Sequence, residues 1–266
     1  IRGTTNYLIS NSTANNASNA NTLTAFNSNG FTVGTDASSI GVNVSAATYV
    51  GWQWLAGAGT TSSNTNGSIT STVCVNTTSG FSVVTYTGTG ANATVGHGLG
   101  VAPSMVITKQ RTAASTTNWA TWHTSIANTN YLLLNTTAAS TAGATYWNST
   151  TPTSSVFSIG TASDTNTNTG TYVAYCFAPI AGYSAFGSYT GNGSTDGPFV
   201  YCGFRPRFVM FKDSSNSSTP QNWTILDSTR GPYNLDDVEL YPSLANAEGS
   251  GGIGIDLVSN GFKIRT

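Results

Sequence analysis

"FSVVTYTGTGANATVGHGLGVAPSMVITK", residues 81–109, returns later in the chain as "YSAFGSYTGNGSTDGPFVYCGFRPRFVMFK", residues 183–212. In both, a Tyr-Thr-Gly opens a glycine-rich turn, and a proline precedes an alternating strand that ends on a lysine. Tyr86 falls on Tyr189 and Lys109 on Lys212, a shift of 103 residues at each end with no gap between. A shift held over that length marks a duplicated folding unit.

The middle unit, residues 81–180, reads as a complete copy. "FSVVTYTG", "PSMVITK", "NWATWHTSI", "NYLLLNTT", "SVFSIGT" and "GTYVAYCFAP" alternate or carry β-branched runs between Gly, Asn, Ser and Thr clusters, and no segment holds a helical period for three turns. Residues 1–57 match only the second half of this unit. Asn6-Tyr7-Leu8 falls on Asn130-Tyr131-Leu132, and "TYVGWQWLAG" on "TYVAYCFAP". In the third copy, residues 181–266, Asn222-Trp223 falls on Asn118-Trp119, and Gly261-Phe262 on Gly30-Phe31 of the first; no counterpart of "TYVGWQWLAG" follows. Residues 58–80, rich in Ser, Thr, Asn and Gly, read as a linker. The expected fold is all-β, with tandem β-sandwich-like repeats of about 100–125 residues whose first and last copies are incomplete. An unfinished sandwich exposes a strand slot, so the polypeptide is expected to be longer, or another chain to supply the missing strands.

Composition agrees with a folded, polar β-protein. Only 7% of the 266 residues are charged, whereas 11% are aromatic and Val, Ile and Thr abound, unlike the charge-rich, aromatic-poor profile of disorder. A formal net charge of −1 leaves no basic stripe for nucleic acid, and no apolar run is long enough to suggest membrane insertion. Cys74, Cys176 and Cys202 match no metal spacing and read as buried free thiols. Strand alternation puts Val50, Trp52 and Trp54 on one face, and Val173, Tyr175 and Phe177 on the corresponding face of the middle copy.

Chemistry is sparse. His97 falls on Val200 in the other copy and His123 on Asp227, so neither imidazole survives duplication. GxSxG, Walker and HExxH motifs are absent and no carboxylate pair recurs, so neither enzymatic activity nor a cofactor is expected. Two binding sets can be named. Trp119, Trp122, His123, Trp223 and Asp227 combine ring faces with hydrogen-bonding groups, as glycan sites do, although their pattern suits strand interiors equally. Asp236, Asp237 and Glu239 in "NLDDVEL" could offer oxygen ligands to calcium, but lack the glycine turn and ligand count of a calcium loop.

The phrases "YTGTGANATVGHGLGVAPSMVITK", "SYTGNGSTDGPFVYCGFRP" and "YNLDDVELYPSLANAE" resemble a recurring module of marine bacteriophage virion and tail-fibre-like proteins and related metagenomic sequences. The resemblance implies a non-enzymatic structural or adhesive β-repeat on a virion surface. Its implied partners are other virion subunits, in a homo-oligomer that is trimeric as in many fibres. A carbohydrate-binding module for host-surface glycans and a bacterial extracellular filament protein are the alternatives.

Overall fold

The computed structural model describes residues 3–36, 40–112, 116–219 and 221–265. The first unit contributes β1 (Asn6–Tyr7), β2 (Ala17–Ser18), β3 (Leu23–Asn27) and β4 (Gly30–Val33). The middle unit contributes β5 (Ser62–Asn64), β6 (Ser71–Asn76), β7 (Phe81–Thr87), β8 (Ala93–Gly96), β9 (Met105–Thr112) and β10 (Ala120–His123). It continues through β11 (Asn130–Leu133), β12 (Thr141–Ala142), α1 (Ala144–Trp147), β13 (Val156–Ile159), α2 (Ser163–Asn166) and β14 (Thr171–Phe177). The third holds β15 (Phe199–Tyr201), β16 (Phe208–Phe211), β17 (Thr224–Asp227), β18 (Asp236–Glu239), β19 (Gly249–Val258) and β20 (Gly261–Ile264). The chain is all-β, and both α-helices are single turns.

The scaffold is an antiparallel sheet in the order β12-β11-β10-β9-β14-β7-β6-β5. All six segments read as strands in the middle copy belong to strands, five of them in this sheet and β13 in a pair with β8. The expected linker at 58–80 is corrected. β5 and β6 lie within it, and β6 pairs with β7 from Thr72↔Thr85 to Asn76↔Phe81. Its loop-like Ser, Thr and Asn content hid an alternation in "STVCVN" that backbone pairing exploits.

β9 is buried on both faces. Val106 joins Val84, Tyr86, Trp122, Phe157, Tyr172 and Cys176 in a core closed by the β8–β13 pair. Tyr86 and Tyr172 stack there at 5.1 Å. Met105 and Ile107 point the other way, into a second cluster with Trp119, Leu132 and Leu134. Leu8 of the first unit and Trp223, Phe186 and Met210 of the third also belong to it. The units therefore share a core instead of following one another as separate beads.

Pairing registers show that the copies fold alike. β9–β10 pairs Met105↔His123 and Thr108↔Ala120; β16–β17 pairs the counterparts Phe208↔Asp227 and Phe211↔Thr224. One small arch occurs three times: Asn6↔Ser18 with Tyr7↔Ala17, Asn130↔Ala142 with Tyr131↔Thr141, and Val238↔Ser250 with Glu239↔Gly249. Hairpins β3–β4 and β19–β20 likewise share register, Phe26↔Phe31 matching Leu257↔Phe262. Because a slip of one residue would turn every side chain to the wrong face, equal registers mean equal inward faces.

Two stretches whose counterparts in the middle copy are strands form none. Residues 183–190, the counterpart of β7, make only an isolated bridge, Ile180↔Ser184. β7 is held between β14 and β6, and among the described residues no such strands flank its counterpart. "TYVGWQWL", residues 48–55, is also outside any strand. Its Trp52 and Trp54 instead lie edge-on against Phe208 at 5.6 and 5.5 Å. Phe208 is the counterpart of Met105, which β14 opposes with Phe177. The first unit thus places its aromatics beside the third unit's β16, where the middle unit uses its own Phe177.

Candidate functional site

Trp119, just before β10, and Trp122, within it, enter opposite cores. Trp122 enters the inner core, only 3% exposed. Trp119 enters the shared cluster, and its indole N–H donates to the carbonyls of Ile9 (3.1 Å) and Ser12 (3.2 Å) in the first unit. Trp223 repeats the contact one unit on, donating to Leu133 O at 2.9 Å. Ile9 and Leu133 occupy matching places, at the same distance from the paired residues Asn6 and Asn130 that open each arch.

A second contact recurs beside it. The amide N–H of Asn16 donates to Arg111 O at 3.0 Å, and that of Ser140 to Ser214 O at 2.9 Å. These are again matching positions in consecutive units. Two independent hydrogen bonds repeated at equivalent atoms define one interface used twice: the arch of each unit seats the Trp-bearing hairpin of the next. Lys109 reinforces only the first seat. Its Nζ, wholly buried, donates to Thr13 O (2.8 Å) and Thr117 O (2.5 Å), whereas its counterpart Lys212 turns to Asp213 O.

The proposed glycan set is corrected by this geometry. Trp119, Trp122 and Trp223 are all buried, so none offers a ring face to a sugar. Asp227 is also buried, accepting from Arg230 Nε at 2.7 Å and from the amides of Thr229 and Arg230. Burial alone would raise its carboxyl, but the Arg230 bonds hold it below the ordinary range. His123 is half-buried, its Nδ1 accepting from the Ser125 amide, and burial lowers its basicity. The structure does not bring the set together: Trp119 and Trp223 share one cluster, Trp122 lies in the other, and Asp227 caps the turn after β17.

The calcium set does not converge. Asp236 is buried and Asp237 half-buried at the start of β18, whose pairing with β19 shifts register between Asp236 and Val238. Glu239 is taken by the hydroxyl of Tyr241 and the amide of Ile253. Among the described residues no three His, Cys, Asp or Glu side chains cluster as metal ligands. Asp236 is buried, with Oδ2 unpartnered and Oδ1 accepting weakly from the Val238 amide at 3.4 Å. Burial pushes its carboxyl up to about 6, assisted by the charges of Asp227 and Asp237. A raised folded value means its contribution is fully present below the unfolded value near 4 and is lost as pH rises through 6. Asp236→Asn is therefore expected to stabilise the chain at pH 7 by ~1–3 kcal/mol and to flatten the stability profile between pH 4 and 6, checked by urea unfolding across that range.

A family model spans residues 1–266. The chain belongs to the family described as Domain of unknown function (DUF7483). No curated protein and no solved structure matches it. In this DUF7483 chain the seat-forming groups are mostly main-chain atoms, which carry no side-chain signature. The recurring Asn-Trp at 118–119 and 222–223 was the one sequence signal that pointed to them.

Proposed function

We propose that the chain is a non-enzymatic structural β-repeat of a phage particle, part of a tail fibre, spike or capsid-mounted fibre on the virion surface. The observation that carries this reading is the head-to-tail seat, made twice with equivalent atoms, since repetition of one interface lengthens a rod without new chemistry. The resemblance of "VGHGLGVAP" and "SYTGNGSTDGPFVYCGFRP" to virion modules supplies the location. Large exposed aromatics, among them Phe26, Tyr201 and Tyr233 at 71, 72 and 82%, suit contact with other subunits, and the expected assembly is a homo-oligomer, trimeric as in many fibres.

Immunogold electron microscopy with antibodies to the chain tests the location. Label on a projection of purified particles is the expected result; label on cellular filaments would move the reading to a bacterial surface protein. Sedimentation of the purified chain tests assembly, and a monomer at all concentrations would remove the homo-oligomer.

A further inference from the structure

We propose that Tyr241–Glu248 is a third seat of the same kind, which receives the Trp-bearing β-hairpin of a further unit lying outside residues 1–266. The seat rests on the structural reading above for its biological meaning, while its physical basis is the pair of seats already filled within the chain.

The three arches match beyond their strand registers. Each opens with the same turn: Ser12 N–H donates to Ile9 O (3.1 Å), Thr136 N–H to Leu133 O (3.4 Å) and Leu244 N–H to Tyr241 O (3.0 Å). In the first two, that carbonyl also accepts the next unit's indole N–H, using its second lone pair. Tyr241 O holds the same position with its turn bond already made. The entry to the arch is anchored as well, Leu240 exchanging both backbone bonds with Ile225. The third arch is preformed.

It is also open. Within Tyr241–Glu248, Leu244 to Glu248 are exposed, whereas only Thr137 and Ala138 are exposed in the matching Leu133–Ser140 stretch that seats the third unit. Leu244, 36% exposed, stands where the filled seats have Ser12 and Thr136, adding apolar surface at the face where a hairpin would land. A second copy of residues 1–266 is a poor occupant, because both of its Asn-Trp hairpins are already seated. The occupant that fits is another β-hairpin entered by Asn-Trp. Its indole would donate to Tyr241 O, and a carbonyl at the end of its first strand would accept from Glu248 N–H, as Arg111 and Ser214 do from Asn16 and Ser140. Such a contact is head-to-tail and self-propagating.

The probe is an extended chain in which Ile264 is followed by a second copy of residues 160–266. The join is natural because Phe262 and Ile264 of β20 correspond to Phe157 and Ile159 of β13. Glu248→Pro removes the docking N–H from an exposed position. Amide exchange is read by mass spectrometry on the added hairpin. The expected result is protection of that hairpin at least tenfold greater in the extended chain than in its Glu248→Pro variant, while the 266-residue chain unfolds alike with and without the substitution. Equal exchange in the two extended chains, or an added hairpin left unprotected in both, overturns the proposal. Neither outcome depends on where the protein resides, so immunogold and exchange fail separately.

Discussion

Trp119→Ala is expected to lower the free energy of unfolding by about 3–5 kcal/mol, the largest effect of any single side chain at the seats. Trp119 is 6% exposed, stacks on Tyr175 at 6.4 Å and joins the cluster shared by all three units. Truncation leaves a cavity between units and strips the indole donor from Ile9 O and Ser12 O. Trp119→Phe separates the two contributions, since it keeps most of the apolar contact and loses the N–H; the expected cost is about 1–2 kcal/mol. If the interface is what couples the units, hydrogen exchange in Asn6–Ser18 should rise in Trp119→Ala before the β7–β14 ladder opens. Urea unfolding with exchange mass spectrometry reads both. An unfolding free energy within about 1 kcal/mol of wild type would mean that the first seat contributes nothing to cohesion.

Lys109→Met is expected to cost about 2–4 kcal/mol near pH 7 and to carry a distinctive pH signature. The thioether keeps the length of the side chain but leaves Thr13 O and Thr117 O without their buried donor, at about 1–3 kcal/mol for each group left unsatisfied. Burial drives the ammonium down to about 8, against the opposing pull of Asp164. A lysine whose folded value is depressed binds its proton more tightly when unfolded. Its unfavourable contribution is therefore full below pH 8 and is relieved as pH climbs from 8 towards 10.5. Burial raises the Cys176 and Cys202 thiols, which acts in the opposite sense at alkaline pH, so the informative quantity is the difference between wild type and Lys109→Met. That difference should grow by about 2–3 kcal/mol between pH 8 and 10. A flat difference would show that the ammonium keeps its ordinary proton affinity inside the seat.

Much of the fold was legible because alternation and duplication are local properties. The recurring "YTG…P…K" phrase and the "NYL" and "NGF" echoes identify pieces that pair in equal registers. β5 and β6 were missed because a strand rich in Ser and Thr has the composition of a loop, and only pairing with each other and with β7 distinguishes the two. The "TYVGWQWL" segment was misread for the converse reason. It has strand periodicity, but a strand also needs a neighbouring backbone, and its tryptophans found Phe208 and Arg230 instead.

The candidate sites show the same division. Trp119, Trp122 and Trp223 are aromatic in any context, and the sequence alone left sugar platform and strand interior open; packing of consecutive units decided for the interior. The acids of "DDVE" looked like a cluster along the chain, but in space Asp236 is buried with Oδ2 unpartnered and Glu239 is taken by Tyr241 and Ile253. By itself, the sequence determined that one polar, aromatic-rich β-unit is repeated, because side-chain period and copy number are written in residue order. Only the tertiary structure decided which atoms join one unit to the next. Those atoms are chiefly backbone carbonyls and amides, identical in every residue, and they acquire meaning when the arch of one copy meets the hairpin of another.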